Sequence, residues 1–350
     1  MRPFDVITVP DFSTGGTAVF EARTLVFLAS WAERAGPSRE FPLHVACIGE
    51  PPLSIRRLAD RVGASITVHE PLPLRHDHHV GNKLRGLEIT PRTDRFLLLD
   101  VDIAILGDLG PLAEFGDCIS ACPDDAPNVR LDEWRTIFEA VGLPLPDAIP
   151  PLVRELDLPR FPRKMMGYEA GNEQLEEMLP YYNGGVVFAP WSSNLRDLWA
   201  RNIQRIAGLF DDRTGFRKWI HHSDQAALAV SIEMLARDGL PFRRLPDAFN
   251  ARWQHLYAGR PDPGAIAILH CCWNFLSSIG ERAVDAESIA ASLDAFFLEK
   301  VKHRFQKLAL GDVLRGRPVT AARRYAAGQR RAEAVCRELQ AICRRALAAC

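Results

Sequence analysis

A chain of 350 residues, 47% of them hydrophobic, can bury one large core, and its formal net charge of −1 conceals a basic tail of net +10 over Lys300–Cys350. Eight cysteines without a Cys-x-x-Cys pair are too few for a disulfide scaffold in a chain this long, and Cys118, Cys122, Cys271 and Cys272 sit in or beside apolar runs where reduced, buried thiols are expected. The start MRPFDVITVPDF has no signal-peptide core and charges break every apolar run short of bilayer length, so a cytoplasmic protein without a transmembrane segment is expected.

The first third alternates strand and helix at βαβ spacing. Phe4–Val9 reads as a strand stopped by Pro10-Asp11, Ala18–Ala35 as a helix ended at Gly36-Pro37, and Pro42–Ile48 as a second strand. Leu53–Val62 reads as a second helix and Ser65–His69 as a third strand, which together predict a parallel sheet covered by helices. His76-Asp77-His78-His79 lies in a loop without helical i,i+4 spacing and reads as solvated rather than metal-binding. Asn82–Ile89 reads as a helix carrying Lys83 and Arg85 into the next strand.

That strand is the stretch TDRFLLLDVDIAIL, Thr93–Leu106. Asp100 and Asp102 interrupt an otherwise apolar run and leave one face about 7 Å apart. Two carboxylates there are costly unless they lie at a strand's end, hydrated or holding a cation. A hard dication with substrate phosphates suits them, and a polar strand end facing water is the plain alternative. Beyond a short strand at Cys118–Cys122 the segment 123–179 is rich in proline, with a helix near Asp132–Val141, and reads as a lid or acceptor-binding insertion. Tyr181–Ala189 places Asn183-Gly184-Gly185 before a buried strand, and Asn194–Leu209 is a helix. Ser223 or Asp224 is read as the N-cap of a helix at Ala226–Arg237, and His270 ends an apolar strand, Ala265–His270.

Taken in order, these pieces are similar to the glycosyltransferase-A fold, and most closely to the family-8 glycosyltransferases, over about Phe4 to Trp273. The pieces are Lys-Leu-Arg on a helix, apolar-Asp-x-Asp, Asn-Gly-Gly-Val, Asp-Gln, Leu-Pro-x-x-Phe-Asn and a strand-end histidine. The resemblance implies an α/β fold, with a mixed, mostly parallel sheet, helices on both faces and a C-terminal helical appendage. With the tail read from its own residues, the chain divides into a catalytic domain at 1–284 and a basic helical extension at 285–350. The resemblance also implies Mn²⁺ or Mg²⁺ held by Asp100, Asp102 and His270, with Thr8, Val9 and Asp11 near the base. Lys83 and Arg85 then approach the diphosphate or donor sugar, and Asn183, Gly184, Asp224 and Gln225 line the sugar, Gln225 beside the anomeric carbon. The implied activity is sugar transfer from a nucleotide donor, a UDP-sugar, to a saccharide, lipid-linked or protein hydroxyl with retention, in surface polysaccharide or glycolipid synthesis. Were the chemistry inverting, Asp224 would be the base.

One departure concerns the diphosphate. The family follows its histidine with x-x-Gly-x-x-Lys-Pro-Trp, whereas this chain reads His270-Cys271-Cys272-Trp273-Asn274-Phe275, without that glycine or lysine. Lys83, Arg85 or Arg282 would have to substitute. A non-catalytic nucleotide-sugar-binding or scaffold protein of the same fold is one alternative. A haloacid-dehalogenase-type phosphatase is another, but it expects the motif on the first strand. In the tail, Val335, Leu339, Ile342 and Ala346 form an apolar helical stripe among arginines. The stripe either packs on the main domain or a partner helix, or meets an anionic membrane surface, while nucleic acid is not expected because no binding motif accompanies the charge.

Overall fold

The computed structural model describes residues 3–13, 15–74, 79–124, 129–159, 177–210, 216–272, 275–279 and 284–348. The cluster at 76–79, the parts 125–128 and 160–176 of the proline-rich insertion, and Arg282 fall wholly or in their side chains outside these residues. In chain order the elements begin β1 (Asp5–Thr8), α1 (Thr17–Arg34), β2 (Leu43–Ile48), α2 (Leu53–Val62) and β3 (Ser65–His69). A 3-10 segment (His79–Glu88), β4 (Arg95–Leu99), β5 (Ile103–Ile105), β6 (Ser120–Pro123), α3 (Leu131–Ala140) and the single turn α4 (Leu152–Glu155) follow. The second half holds β7 (Tyr182–Pro190), α5 (Leu195–Leu209), α6 (Phe216–Arg237), α7 (Trp253–Ala258) and β8 (Ile268–His270). It ends in α8 (Ala286–Asp294), a π-helical stretch, α9 (Lys302–Leu314) and α10 (Pro318–Ala348).

Six strands form one sheet in the order β3-β2-β1-β4-β7-β6. The first four are parallel and β7 runs antiparallel to both its neighbours. Alternation along the strands sends Phe4, Val6, Leu97, Leu99 and Phe188 into a core with α1, α2 and the C-terminal helices. Ile7, Phe96, Leu98 and Val187 enter a second core with α3, α5 and α6 on the other face. Both faces are covered, so these strands carry apolar residues at nearly every position. The predicted α/β architecture and the mostly parallel sheet are therefore observed.

The tail's stripe lies inside the first core: Val335, Leu339, Ile342 and Ala346 are buried with α1 and α8 residues. The packed-helix reading is the one realised for this face. Several tail arginines are paired within the chain, Arg317 and Arg324 to Asp157 and Arg344 to Glu287. Among the described residues no helix is long and apolar enough to cross a membrane.

A buried carboxylate fastens the sheet at the end away from the strand carboxyl termini. Asp5 is fully buried and accepts hydrogen bonds from the Thr93 N–H (3.1 Å), the Arg92 N–H (3.1 Å) and Trp191 Nε1 (3.0 Å), with His44 Nε2 at 2.9 Å. Burial alone would raise its pKa, but His44, Trp191 and Thr93 outweigh burial and hold it below the ordinary value. A depressed carboxylate contributes stability above its unfolded value near 3.9, and this is lost as pH falls through the lower folded value. Asp5→Ala is therefore expected to cost about 3 kcal/mol or more at pH 7. In urea unfolding the gap from wild type should narrow near pH 3, and an equal gap at both pH values would refute the assignment.

Candidate metal and donor site

The order of the strands reverses between β1 and β4, so the crevice at their carboxyl ends is the switch point where open α/β sheets bind ligands. Register pairs Thr8 with Leu99, which brings Val9 and Asp100 level at that edge. Asp100 and Asp102 lie in a bend just past β4 rather than within a strand. Because β7 is antiparallel to β4, its beginning meets the end of β4, and the Asp100 N–H donates to Gly185 O at 2.8 Å.

The chain leaves Asp102 into β5, whose antiparallel partner β8 pairs Ile103 with His270. That pairing carries a late imidazole back to the early acids. His270 Nε2 lies 3.3 Å from Asp102 Oδ1, and the Cys271 N–H donates to Asp102 O at 2.9 Å. Ligand atoms of Asp100, Asp102 and His270 all fall within 4.8 Å of one another. His270 Nδ1 is 3.1 Å from Asn250 Oδ1, while Asn250 Nδ2 donates to Asn183 Oδ1 at 3.1 Å. With Nδ1–H donating to Asn250, Nε2 is left turned toward the acids as the ligating nitrogen. Two carboxylates and an imidazole within this span fit a divalent metal.

Lys83 adds charge on the other side. Its ammonium lies 2.8 Å from Asp100 Oδ1 and 3.4 Å from Asp224 Oδ2, and donates to Gly184 O at 3.3 Å. Burial would strip its proton, but the two carboxylates outweigh burial and keep its pKa above the ordinary value. Burial pushes Asp100 upward against the Lys83 charge. Burial acts on Asp102 in the same direction, yet His270 overrides it and holds Asp102 well below the ordinary carboxylate range.

Two close approaches require glycine. A Cβ at Gly86 would lie 2.7 Å from both Ile7 and Val9, so its absence lets the 79–88 segment press onto β1 and present Lys83. A Cβ at Gly185 would lie 2.3 Å from His270 Cε1 and 2.9 Å from Asp100 Oδ2. The imidazole is fixed by Asn250 and has little room to retreat. Gly185→Ala is thus expected to weaken Mn²⁺ binding at least about tenfold, as for a lost ligand-supporting contact. Calorimetric Mn²⁺ titration checks this, and wild-type affinity would show the imidazole is not a ligand.

The sequence profile of the Rhodobacterales glycosyltransferase domain matches residues 17–236, well over half of the chain. The chain belongs to that family. It is a glycosyltransferase, and its mixed, mostly parallel sheet has the α/β architecture anticipated from the residues. Among solved structures it is similar to the galactosyltransferase LgtC, described in complex with donor and acceptor sugar analogues, at 16% identity and a TM-score of 0.45, covering 77% of this chain and 88% of that one. It is also similar to mouse xyloside xylosyltransferase 1, at 15% identity and a TM-score of 0.43, covering 78% of this chain and 99% of that one. GlyE of Streptococcus pneumoniae TIGR4 is similar at 13% identity and a TM-score of 0.46, covering 86% and 64% respectively. No functionally curated protein matches this glycosyltransferase in sequence.

The structure brings most of the anticipated residues of this glycosyltransferase together. Asp100, Asp102, His270, Asn183, Gly184, Lys83 and Asp224 form one connected cluster. Asp224 and Gln225 lie well inside α6, which begins at Phe216, so the N-cap reading of Asp224 is corrected. The Trp199 indole instead donates to the Asp224 carbonyl at 2.7 Å. Asp224 Oδ1, Gln225 Oε1 and Thr8 Oγ1 are buried polar atoms with no hydrogen-bond partner among the described residues. Asp11 acts as a strut, accepting from Asn82 Nδ2 at 2.8 Å and Ser13 Oγ at 2.6 Å. Arg85 is engaged outside this cluster, on the Glu70 and Pro71 carbonyls and on Glu88. Six residues after His270, where the family-8 pattern has its lysine, stands Leu276, fully buried.

One residue of the site was not assigned from sequence. Asn250 was visible as the end of Leu-Pro-x-x-Phe-Asn, but its grip on His270 depends on the path of β8.

Proposed function

We propose that this glycosyltransferase moves a sugar from a nucleoside-diphosphate donor, a UDP-sugar, to an acceptor hydroxyl, with Mn²⁺ or Mg²⁺ held by Asp100, Asp102 and His270. The observation carrying this reading is the convergence of those three side chains at the β1–β4 switch point. When bound there, the cation supplies neutralising charge to the departing diphosphate. Thr8, which ends β1, and Val9 after it face the base, and Asp11 holds the following loop through Asn82 and Ser13.

Lys83 sets the crevice's local charge and fixes Asp224 against the Gly184 backbone. Asn183, Gly184, Asp224 and Gln225 line the donor sugar, and the unpartnered amide oxygen of Gln225 is available to the anomeric centre. The Asp224 carboxylate is engaged by the Lys83 ammonium at 3.4 Å, which supports a positioning role for Asp224 and retention of configuration. The likeness of the residue pattern to family 8 supports the same outcome. The 123–179 insertion keeps the lid or acceptor-binding role expected from its sequence. A panel of nucleotide sugars with Mn²⁺, followed by release of nucleoside diphosphate, tests the reading. Release from one donor class is expected, and binding without release from any donor would overturn it.

A further inference from the structure

We propose that the turn between α9 and α10, residues 310–319, is a docking surface for an anionic lipid bilayer. The surface is separate from the metal and donor crevice, and its role does not depend on which nucleotide or ion that crevice takes. Four of the nine large apolar side chains exposed among the described residues fall in this one stretch: Leu310 (53%), Val313 (46%), Leu314 (79%) and Val319 (79%). Single exposed leucines scattered over a surface need no explanation, whereas a group of them does. Leu310, Val313 and Leu314 stand at i, i+3 and i+4 on α9, on the side away from its buried residues Phe305, Leu308 and Asp312. Gly316, at φ 74°, reverses the chain, and the Arg317 N–H closes the turn on the Asp312 carbonyl at 2.9 Å. Val319 follows in the first turn of α10, and every residue from Val313 to Val319 is exposed.

This tip is held from behind. Asp312 is fully buried and accepts a hydrogen bond from the Tyr257 hydroxyl of α7 at 3.1 Å and another from Arg315 at 2.9 Å. Arg317 and Arg324 pair with Asp157 at 2.7 and 3.4 Å. These acids and arginines match one another within the chain, and the charge left over is positive. Asp312 is the only acid between Lys300 and Ala332. Lys307, one turn before Leu310 on the outward side of α9, and Arg323, one turn past Val319 on the exposed side of α10, have no hydrogen-bond or ion-pair partner among the described residues.

Apolar side chains at the tip with cations set one turn behind them suit a bilayer with anionic headgroups. The apolar groups enter the acyl boundary while the ammonium and guanidinium stay at headgroup level. A second copy of the chain suits the same face poorly. A stable interface buries roughly 800 Å² on each partner, more than one turn supplies, and two such faces would oppose like charges. The contact also differs from the one the tail's apolar stripe suggested, because that stripe is spent in the core.

Sedimentation of the full-length protein with vesicles tests the assignment. Wild type is expected to sediment with vesicles of equimolar phosphatidylglycerol and phosphatidylcholine, to do so less as salt is raised, and to stay in solution with phosphatidylcholine alone. Leu314→Ser combined with Val319→Ser is expected to weaken partitioning onto the anionic vesicles about tenfold or more. Lys307→Gln combined with Arg323→Gln is expected to weaken it about tenfold. All four positions are at the surface, so neither pair disturbs the core. Wild-type sedimentation of both paired variants, or equal sedimentation of wild type with neutral and anionic vesicles, would overturn the proposal. So would a dimer seen in sedimentation velocity that Leu314→Ser with Val319→Ser abolishes, which would assign the face to a second copy.

Discussion

Asp102→Ala is expected to lower metal-dependent release of nucleoside diphosphate by about a thousandfold or more. The estimate follows from losing one ligand of the dication, together with its share of several kcal/mol of charge stabilisation on the departing diphosphate. Asp102 is almost fully buried, and its side chain reaches His270 Nε2 at 3.3 Å. The change therefore removes a ligand and releases the imidazole together. A second readout is thermal. A ligand at a hundred times its dissociation constant stabilises a folded protein by about 2.7 kcal/mol, and the Mn²⁺-induced rise in Tm should vanish in the variant. Retained Mn²⁺ protection would show that the ion binds elsewhere.

Lys83→Met should be nearly as damaging, and for a different reason. The ammonium lies between Asp100 and Asp224, and Asp224 is almost fully buried. Removing it leaves two carboxylates facing each other's charge in the crevice, which is expected to cost about 3–5 kcal/mol of stability. Donor turnover should fall about a hundredfold or more through loss of preorganised charge. Pairing Lys83→Met with Asp224→Asn separates the two effects, because it relieves the stranded charge without restoring the cation. Denaturant unfolding should recover in the double variant and turnover should not. Recovery of turnover would reduce Lys83 to a purely structural neutraliser.

The parts of this architecture that were legible in sequence are those written over short distances. Buried strands such as Phe96–Leu99, the helix boundaries at Gly36 and Gly63, and two acids breaking an apolar run all follow from neighbours within a few residues. The pairing of Asp100, Asp102 and His270 was accessible through the order of motifs, and its geometry comes from the β5–β8 pairing. Local reasoning failed where a long-range partner decides. The start of α6 at Phe216 overrode the capping tendency of Asp224, since a helix already running has no use for a cap. Arg85 resembles a phosphate ligand in sequence, yet Glu88 and two carbonyls capture it in the fold.

The distance in sequence between the acid pair and its imidazole has a consequence during synthesis. While the ribosome is still making the chain, Asp100 and Asp102 emerge long before His270, and β5 has no β8 to pair with. Until β8 forms, the nascent polypeptide offers the ion two carboxylates and water, a weak trap in a cell rich in competing magnesium. On the proposed metal reading, tight capture of a divalent ion then becomes a late event, so retention of the ion on a desalting column is expected to distinguish completed molecules from stalled or truncated ones.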